Sequence, residues 1–522
     1  MESENTAKKG IGDLYRDDRR SFTRREWRGF RDTMYDFGRW LKLYSYMGVK
    51  LGIHPILMIR ALKRYRWMAS FLAASNMIDR HTLGLRGKEL RYTHEQFYSI
   101  VHNSVNSVAD MIVRDEHLRP NSKKAAKLRE NTIMFDEMTP KFIMAGFPTV
   151  KWLDIAMLAV GVPSEIDQLA NPFYIDVIEH FGLAPDVCPF PASESGVAVA
   201  GDYPIVGKTY ITSSMPCDGS LGQTGFMSRY FKDIPIFQIT PPQRFREEEV
   251  QDYAVKNLKE CIKFIETNYN VKWDWDAFWK GCEMYNEEVQ CMLNKWDVNC
   301  TDYPQVCNGA LALQREYEFM GAGCLDPYML KADLKVDKMM KKGYEMDKRN
   351  DANKPKYRAI VWACPAHYYT NFTYWAQLCW GVKTMVDMEC MLSHHFMHIG
   401  DKDQAMIDLA KSYERMMMRS HTNGGYENSL DECWKMCEKF NVNIVIMFDH
   451  VSCKNIGGLH GLYEDQARER GIHMIWVPHD LMDARTVSRR EMREAFNKYM
   501  VNVFREKPLD PTLVDYEDTV AW

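Results

Sequence analysis

Three cysteines occupy positions where a thiolate can do chemistry. Cys188 lies in Ala184-Pro-Asp-Val-Cys-Pro-Phe-Pro, and the prolines fix the backbone on both sides of the sulfur. Cys217 follows Tyr210-Ile-Thr-Ser-Ser-Met-Pro and precedes Asp218-Gly-Ser, so its sulfur faces the start of the next helix, where backbone amides stabilise negative charge. Cys453 follows Ile444-Val-Ile-Met-Phe-Asp-His-Val-Ser in the same strand-to-loop setting. Loops at the carboxyl ends of strands are where open α/β sheets bind ligands. A shared metal site and ordinary buried thiols both satisfy these placements, because the three residues are far apart and no Cys-x-x-Cys pair occurs.

The other eleven of the 14 cysteines compete with this trio. Cys282 and Cys291 sit among apolar residues at helical positions, and Cys433 and Cys437 are one helical turn apart, which fits core packing. Cys364 ends a predicted strand before Pro365 and is placed much like Cys453. His394, His395 and His398 have metal-like spacing on a predicted helix, yet without a flanking carboxylate motif they read as a solvated face. Gly321-Ala-Gly-Cys follows a helix instead of a strand, so it fails as a dinucleotide loop, and no Walker sequence is present.

Strands and helices must hold these loops. Residues 1–130 read as an appended helical region. Trp27, Phe30, Met34, Phe37, Leu41 and Tyr44 recur at helical spacing among Arg24, Arg25, Arg28 and Arg31, and the aromatic face is expected to pack on the main body. A second helical stretch is expected over about 94–130. From 131 to 245 short β-branched runs alternate with helical periodicity, with strands at Ile205–Thr212 and Ile234–Ile239. Residues 246–355 form a helical segment. A second α/β domain over 356–505 has strands at Tyr357–Ala363, Val382–Met388, Val442–Phe448 and His473–Val477, and a tail covers 506–522.

The 522 residues suffice for several domains, and 46% hydrophobic with 26% charged residues is an ordinary globular balance. Net charge is −4, although residues 1–70 carry sixteen Lys and Arg against eight Asp and Glu. No nucleic-acid partner is expected from this balance, nor membrane contact, since no apolar run reaches the ~18 residues of a spanning helix. Without an apolar leader the expected location is the cytoplasm, where 14 thiols would stay reduced.

The order of segments resembles the 2-hydroxyacyl-CoA dehydratase and benzoyl-CoA reductase family. The matching stretches are Lys141-Phe-Ile-Met-Ala-Gly-Phe-Pro-Thr-Val, Asp186-Val-Cys-Pro-Phe, Thr212-Ser-Ser-Met-Pro-Cys-Asp-Gly, Trp279-Lys-Gly-Cys-Glu-Met-Tyr-Asn, and Val442 through Cys453 to Asp480-Leu-Met-Asp-Ala-Arg. The resemblance implies two Rossmann-like parallel-sheet domains joined by helices, and one oxygen-sensitive 4Fe-4S cluster held by Cys188, Cys217 and Cys453. It further implies an iron-sulfur subunit of a lyase that dehydrates a 2-hydroxyacyl-CoA to an enoyl-CoA through a ketyl radical. The alternatives are a subunit of an ATP-dependent aromatic acyl-CoA reductase and a cluster-bearing electron relay. Its implied partners are a related cluster-bearing subunit in a heterodimer and an ATP-hydrolysing iron-sulfur activator. For the proton transfers of such chemistry the sequence offers Glu194 and His450, and Ser213 and Ser214 are candidate donors to a cluster sulfide or a thioester.

Overall fold

In the computed structural model the described residues are 29–74, 81–82, 85–136, 139–213, 217–240, 247–305, 309–319, 321–388, 395–414 and 425–514. β1 (Thr132–Phe135), β2 (Lys151–Asp154), β3 (Thr209–Ser213) and β4 (Ile236–Ile239) form one parallel sheet in the order β2-β1-β3-β4. A second parallel sheet, in the order β6-β5-β7-β8, contains β5 (Tyr357–Trp362), β6 (Val382–Asp387), β7 (Ile444–His450) and β8 (His473–His479). The two sheets repeat one topology: the first strand pairs with the second on one side and the third on the other. The expected α/β class with two parallel-sheet domains is what the chain forms. β1, β3 and β6 are buried along their whole length, as strands covered on both faces must be.

Between the sheets run the helices Glu248–Tyr269, Trp275–Asn299, Gly309–Phe319 and Pro327–Asn350. Three of them are tied by a buried ionic network in which Arg315 pairs with Glu318 at 2.7 Å and Asp333 at 2.9 Å, and Lys295 with Asp333 at 2.6 Å. Removing one member would strand a buried charge, so this layer is locked in register.

The first sheet differs from expectation at one end. β3 begins at Thr209, because the backbone of Ile205 bonds elsewhere: its amide donates to Asp115 Oδ1 and its carbonyl accepts from Glu116. The expected helix over 94–130 is two helices, Gly87–Arg114 and Lys123–Arg129, with Asp115 capping the amides of His117 and Leu118 at the break.

The helix Phe30–Gly52 corrects a second expectation. Its aromatic side does not pack on the body: Phe30 is 81% and Phe37 56% exposed, and Met34 and Leu41 are exposed beside them. The buried side carries Leu43, Met47 and Leu51, and polar contacts fasten it to helix Gly87–Arg114: ion pairs of Arg91 with Asp32 and Arg39 with Glu95, and a hydrogen bond of His94 with Asp36. The apolar side is therefore left facing outward. Trp27, Arg24, Arg25 and Arg28 lie outside the described residues. Leu43, Phe97, Ile100 and Val108 share one core with Met134, Leu153 and Tyr210, so the appended helices are built onto the first domain.

Candidate functional site

Each of the three cysteines is the N-cap of a helix. Cys188 caps Pro189–Val199, Cys217 caps Asp218–Tyr230, and Cys453 caps the short turn Lys454–Gly457. At an N-cap the side chain meets amides that have no partner within the helix, and a thiolate there collects them as acceptor. Cys217 Sγ accepts from the Ser220 amide at 3.4 Å, the Phe190 amide favours the Cys188 thiolate, and the amides of Asn455 and Ile456 favour that of Cys453. Burial nonetheless pushes all three thiols up, and the sulfurs add to the shift: Cys217 and Cys453 repel negative charge on Cys188, and Cys453 does so on Cys217.

The trio is brought together by the two sheets. Cys217 follows the third strand of the first sheet and Cys453 the third strand of the second, each beside the point where strand order reverses. Cys188 arrives from the long β2–β3 connection. Its helix crosses Pro172–His180 so closely that a Cβ on Gly196 would lie 2.0 Å from the Tyr174 carbonyl oxygen. Gly219, two residues after Cys217, gives the same access: a Cβ there would meet Pro191, Val187 and the Cβ of Cys188.

A charged clamp joins the three loops. Lys454 pairs with Asp218, with Asp186 Oδ2 at 3.2 Å and with the Asp186 carbonyl at 3.1 Å. Each of these residues is within two positions of one of the cysteines. The group is exposed and therefore weak in energy, so its effect is on geometry.

The ends of β7 and β8 and the short turn His367–Tyr369 that follows β5 contribute three buried histidines. Burial lowers His450 to about 4, burial and His450 lower His367 to about 4, and His479 is lowered for the same two reasons. All three are neutral near pH 7. The His450 and His479 rings are 5.1 Å apart, and His367 Nδ1 donates to Ser164 Oγ at 3.2 Å, since that hydroxyl already donates to the Gly161 carbonyl. His450 Nδ1 accepts from the Ser452 amide, which leaves the proton on Nε2, and Nε2 has no partner among the described residues. Asp480 directly follows β8, and its charge raises the Cys188 thiol. Beside Cys453 an apolar cavity of about 40 Å³ is lined by Trp362, Ala363, Met447, Ile456 and Tyr463. Ala363 bends the chain into it with φ +75°, a conformation alanine rarely adopts.

The other sequence candidates are placed as follows. Glu194 is buried two helical turns beyond Cys188, where its carboxyl accepts from the hydroxyls of Tyr203 and Tyr210 and from the side-chain amide of Gln223. Burial, with repulsion from Asp136, pushes it up to about 8. Ser213 Oγ is 2.6 Å from the Tyr413 hydroxyl, and Ser214 lies outside the described residues. Cys364 is half-buried where the two cores meet, whereas Cys282, Cys291, Cys433 and Cys437 are buried, as their spacing predicts. His395 and His398 are not on a helix: irregular chain carries them onto Asp408, at 2.9 Å and 2.6 Å. His394 is outside the described residues. Sequence reasoning missed His367, His479, Asp480 and the Lys454 clamp. The strand-end rule that singled out Cys453 applies equally to the first three.

The family model for the 2-hydroxyglutaryl-CoA dehydratase D-component matches residues 157–500. The chain belongs to this family. The match contains all three cysteines, the three histidines and the whole second sheet, and it leaves out the appended helices together with β1 and β2. No curated protein matches the chain. Among the described residues no helix is long and apolar enough to cross a membrane.

Proposed function

We propose that this protein is the cluster-bearing component of a 2-hydroxyacyl-CoA dehydratase, a lyase that converts a 2-hydroxyacyl-CoA to an enoyl-CoA and water. The observation that carries the proposal is the meeting of three N-cap cysteines, clamped by Lys454, at the switch points of a chain of this family. Cys188, Cys217 and Cys453 would hold one 4Fe-4S cluster. The donor set suits it: three soft sulfurs repel one another's negative charge, and a cationic centre among them removes that penalty. Among the described residues no three His, Cys, Asp or Glu side chains stand close enough to share a single ion. A cluster asks for less, because each thiolate binds a different iron.

When bound, the cluster supplies an iron with an exchangeable position, able to polarise a thioester oxygen, and a route for one low-potential electron. The chain's own groups prepare the site. N-cap amides hold the thiolates, the prolines around Cys188 keep that loop from relaxing, and Lys454 fixes the spacing. The neutral histidines and the apolar lining from Trp362 and Met447 exclude water and offer no competing charge. A related cluster-bearing component and an ATP-hydrolysing iron-sulfur activator would complete the system, since the sequence carries no Walker motif for hydrolysing ATP itself.

Anaerobic purification with iron and sulfide analysis tests the cofactor. Colourless protein with stoichiometric zinc would overturn it, and full iron in Cys217→Ala would overturn the ligand set. Incubation of the complex with activator, ATP and reductant tests the reaction against 2-hydroxyacyl-CoA esters and benzoyl-CoA, read by mass. Loss of water is expected; gain of two hydrogens would make the protein a ring reductase.

A further inference from the structure

Near Cys188 stands a carboxylate that the proposed function does not yet use. Asp480 is 3% exposed and sits between the end of β8 and the segment Leu481–Met482, which packs into the first domain's core. Its Oδ1 is held in place by the amides of Met482 at 2.9 Å and Asp483 at 2.7 Å. No hydrogen bond engages Oδ2 among the described residues. The loop is anchored across the domain boundary, because Arg485 pairs with Asp483 at 2.7 Å and with Asp176 of the first domain at 3.0 Å. Asp480 is close enough to Cys188 to raise its thiol. One oxygen is thus fixed by the backbone while the other is left for chemistry. Glu194, the carboxylate the sequence favoured, has both oxygens engaged by Tyr203, Tyr210 and Gln223.

We infer that Asp480 is the catalytic base that takes the C3 proton of the substrate, an inference that rests on the dehydratase function proposed above. In the balanced sequence, a low-potential one-electron donor reduces the thioester and the C2–O bond breaks, releasing hydroxide. The C3–H bond then breaks, its electrons forming the C2–C3 double bond and its proton moving to Asp480 Oδ2. That proton combines with the hydroxide to give water, and the electron returns to the donor, so no net redox change occurs. Burial, with repulsion from Asp483, brings the carboxyl up to about 6, closer to the neutral range in which a base both accepts and releases a proton.

Asp480→Asn is the decisive variant, since the amide oxygen can still accept from Met482 and Asp483 while the base is gone. With iron and sulfide equal to wild type, kcat should fall by on the order of 10²–10⁴ with KM little changed. The deuterium isotope effect at C3 should rise, because proton removal becomes the slow step. Asp483→Asn perturbs the same loop and should leave that isotope effect at the wild-type value. Asp480→Glu keeps a carboxylate at a shifted position; it should recover part of the rate, and it carries the same isotope test if the Asn variant fails to fold. Turnover of Asp480→Asn within about threefold of wild type, or a loss of rate with an unchanged isotope effect, would overturn the assignment. If the wild-type complex dehydrates no 2-hydroxyacyl-CoA, the dehydratase function fails and takes this assignment with it.

Discussion

Gly219→Ala should empty the proposed cluster site without removing a single thiol. The added Cβ would stand 2.9 Å from Pro191 Cγ, 3.2 Å from Val187 Cγ1 and 3.4 Å from Cys188 Cβ. The first two distances are shorter than ordinary contact, and the nearest atom belongs to a proline ring that cannot swing aside. The loop carrying Cys188 must retreat from the helix capped by Cys217 by roughly half an ångström. Overpacking of this kind costs ~1–3 kcal/mol. Replacing a helical glycine with alanine returns up to ~1 kcal/mol. The net loss is roughly 0–3 kcal/mol, a change of only a few degrees in Tm for a chain of this size. Metal–ligand distances, by contrast, tolerate only ~0.2 Å, so the same displacement should weaken iron retention on the order of 10–100-fold.

The assay compares the metal-free and reconstituted proteins under anaerobic conditions, reading Tm, accessible thiols, iron and sulfide. Gly222→Ala is the control, because a Cβ there meets nothing within 4 Å on the same helix. It should match or exceed wild type in Tm and hold iron normally. Wild-type iron retention in a folded Gly219→Ala protein would refute the idea that this close approach sets the spacing of Cys188 and Cys217.

Three further outcomes follow from the same geometry. Lys454→Met should leave Tm nearly unchanged, because the clamp is exposed, while slowing iron uptake by the metal-free chain; unaltered uptake would reduce the clamp to a surface contact. Glu194 carries a carboxyl raised from 4.5 to about 8, so the folded state keeps a proton the unfolded state has lost. Its stability contribution is fully present below about 4.5 and is lost as pH rises through about 8. Glu194→Gln should therefore flatten that decline, by at most about 1.4 kcal/mol per pH unit, and denaturant titrations from pH 5 to 9 would reveal a parallel decline if the network does not hold the proton. Phe37→Glu with Leu41→Glu alters only exposed positions and should keep the wild-type Tm while abolishing co-purification with the second component; retained association would place that interface elsewhere.

The parts of the fold legible in the sequence were those governed by local rules. β-branched runs marked six of the strands to within a few residues, and the N-cap setting of Cys217 was visible because Asp-Gly-Ser after a strand announces a helix start. Helical periodicity located the amphipathic segment at Phe30–Gly52 but not which of its sides would be buried. That choice was made by partners on another helix, Arg91, His94 and Glu95, and no periodicity within the segment encodes them. The same reason hid much of the site. Glu194, six residues from Cys188, was preferred on proximity along the chain, and the helix carried it into a tyrosine-lined interior. Asp480 lies 292 positions from Cys188 in the numbering and reaches it only because β8 ends beside β7 and the following loop crosses into the first domain. Sequence distance misleads most where two sheets face each other. The more informative question for such a chain is which residue stands immediately after each strand. Here that question selects Asp480 after β8, His450 and Cys453 around the end of β7, and Cys364 with His367 after β5, all on the second sheet and close enough to act on one another or on Cys188 electrostatically.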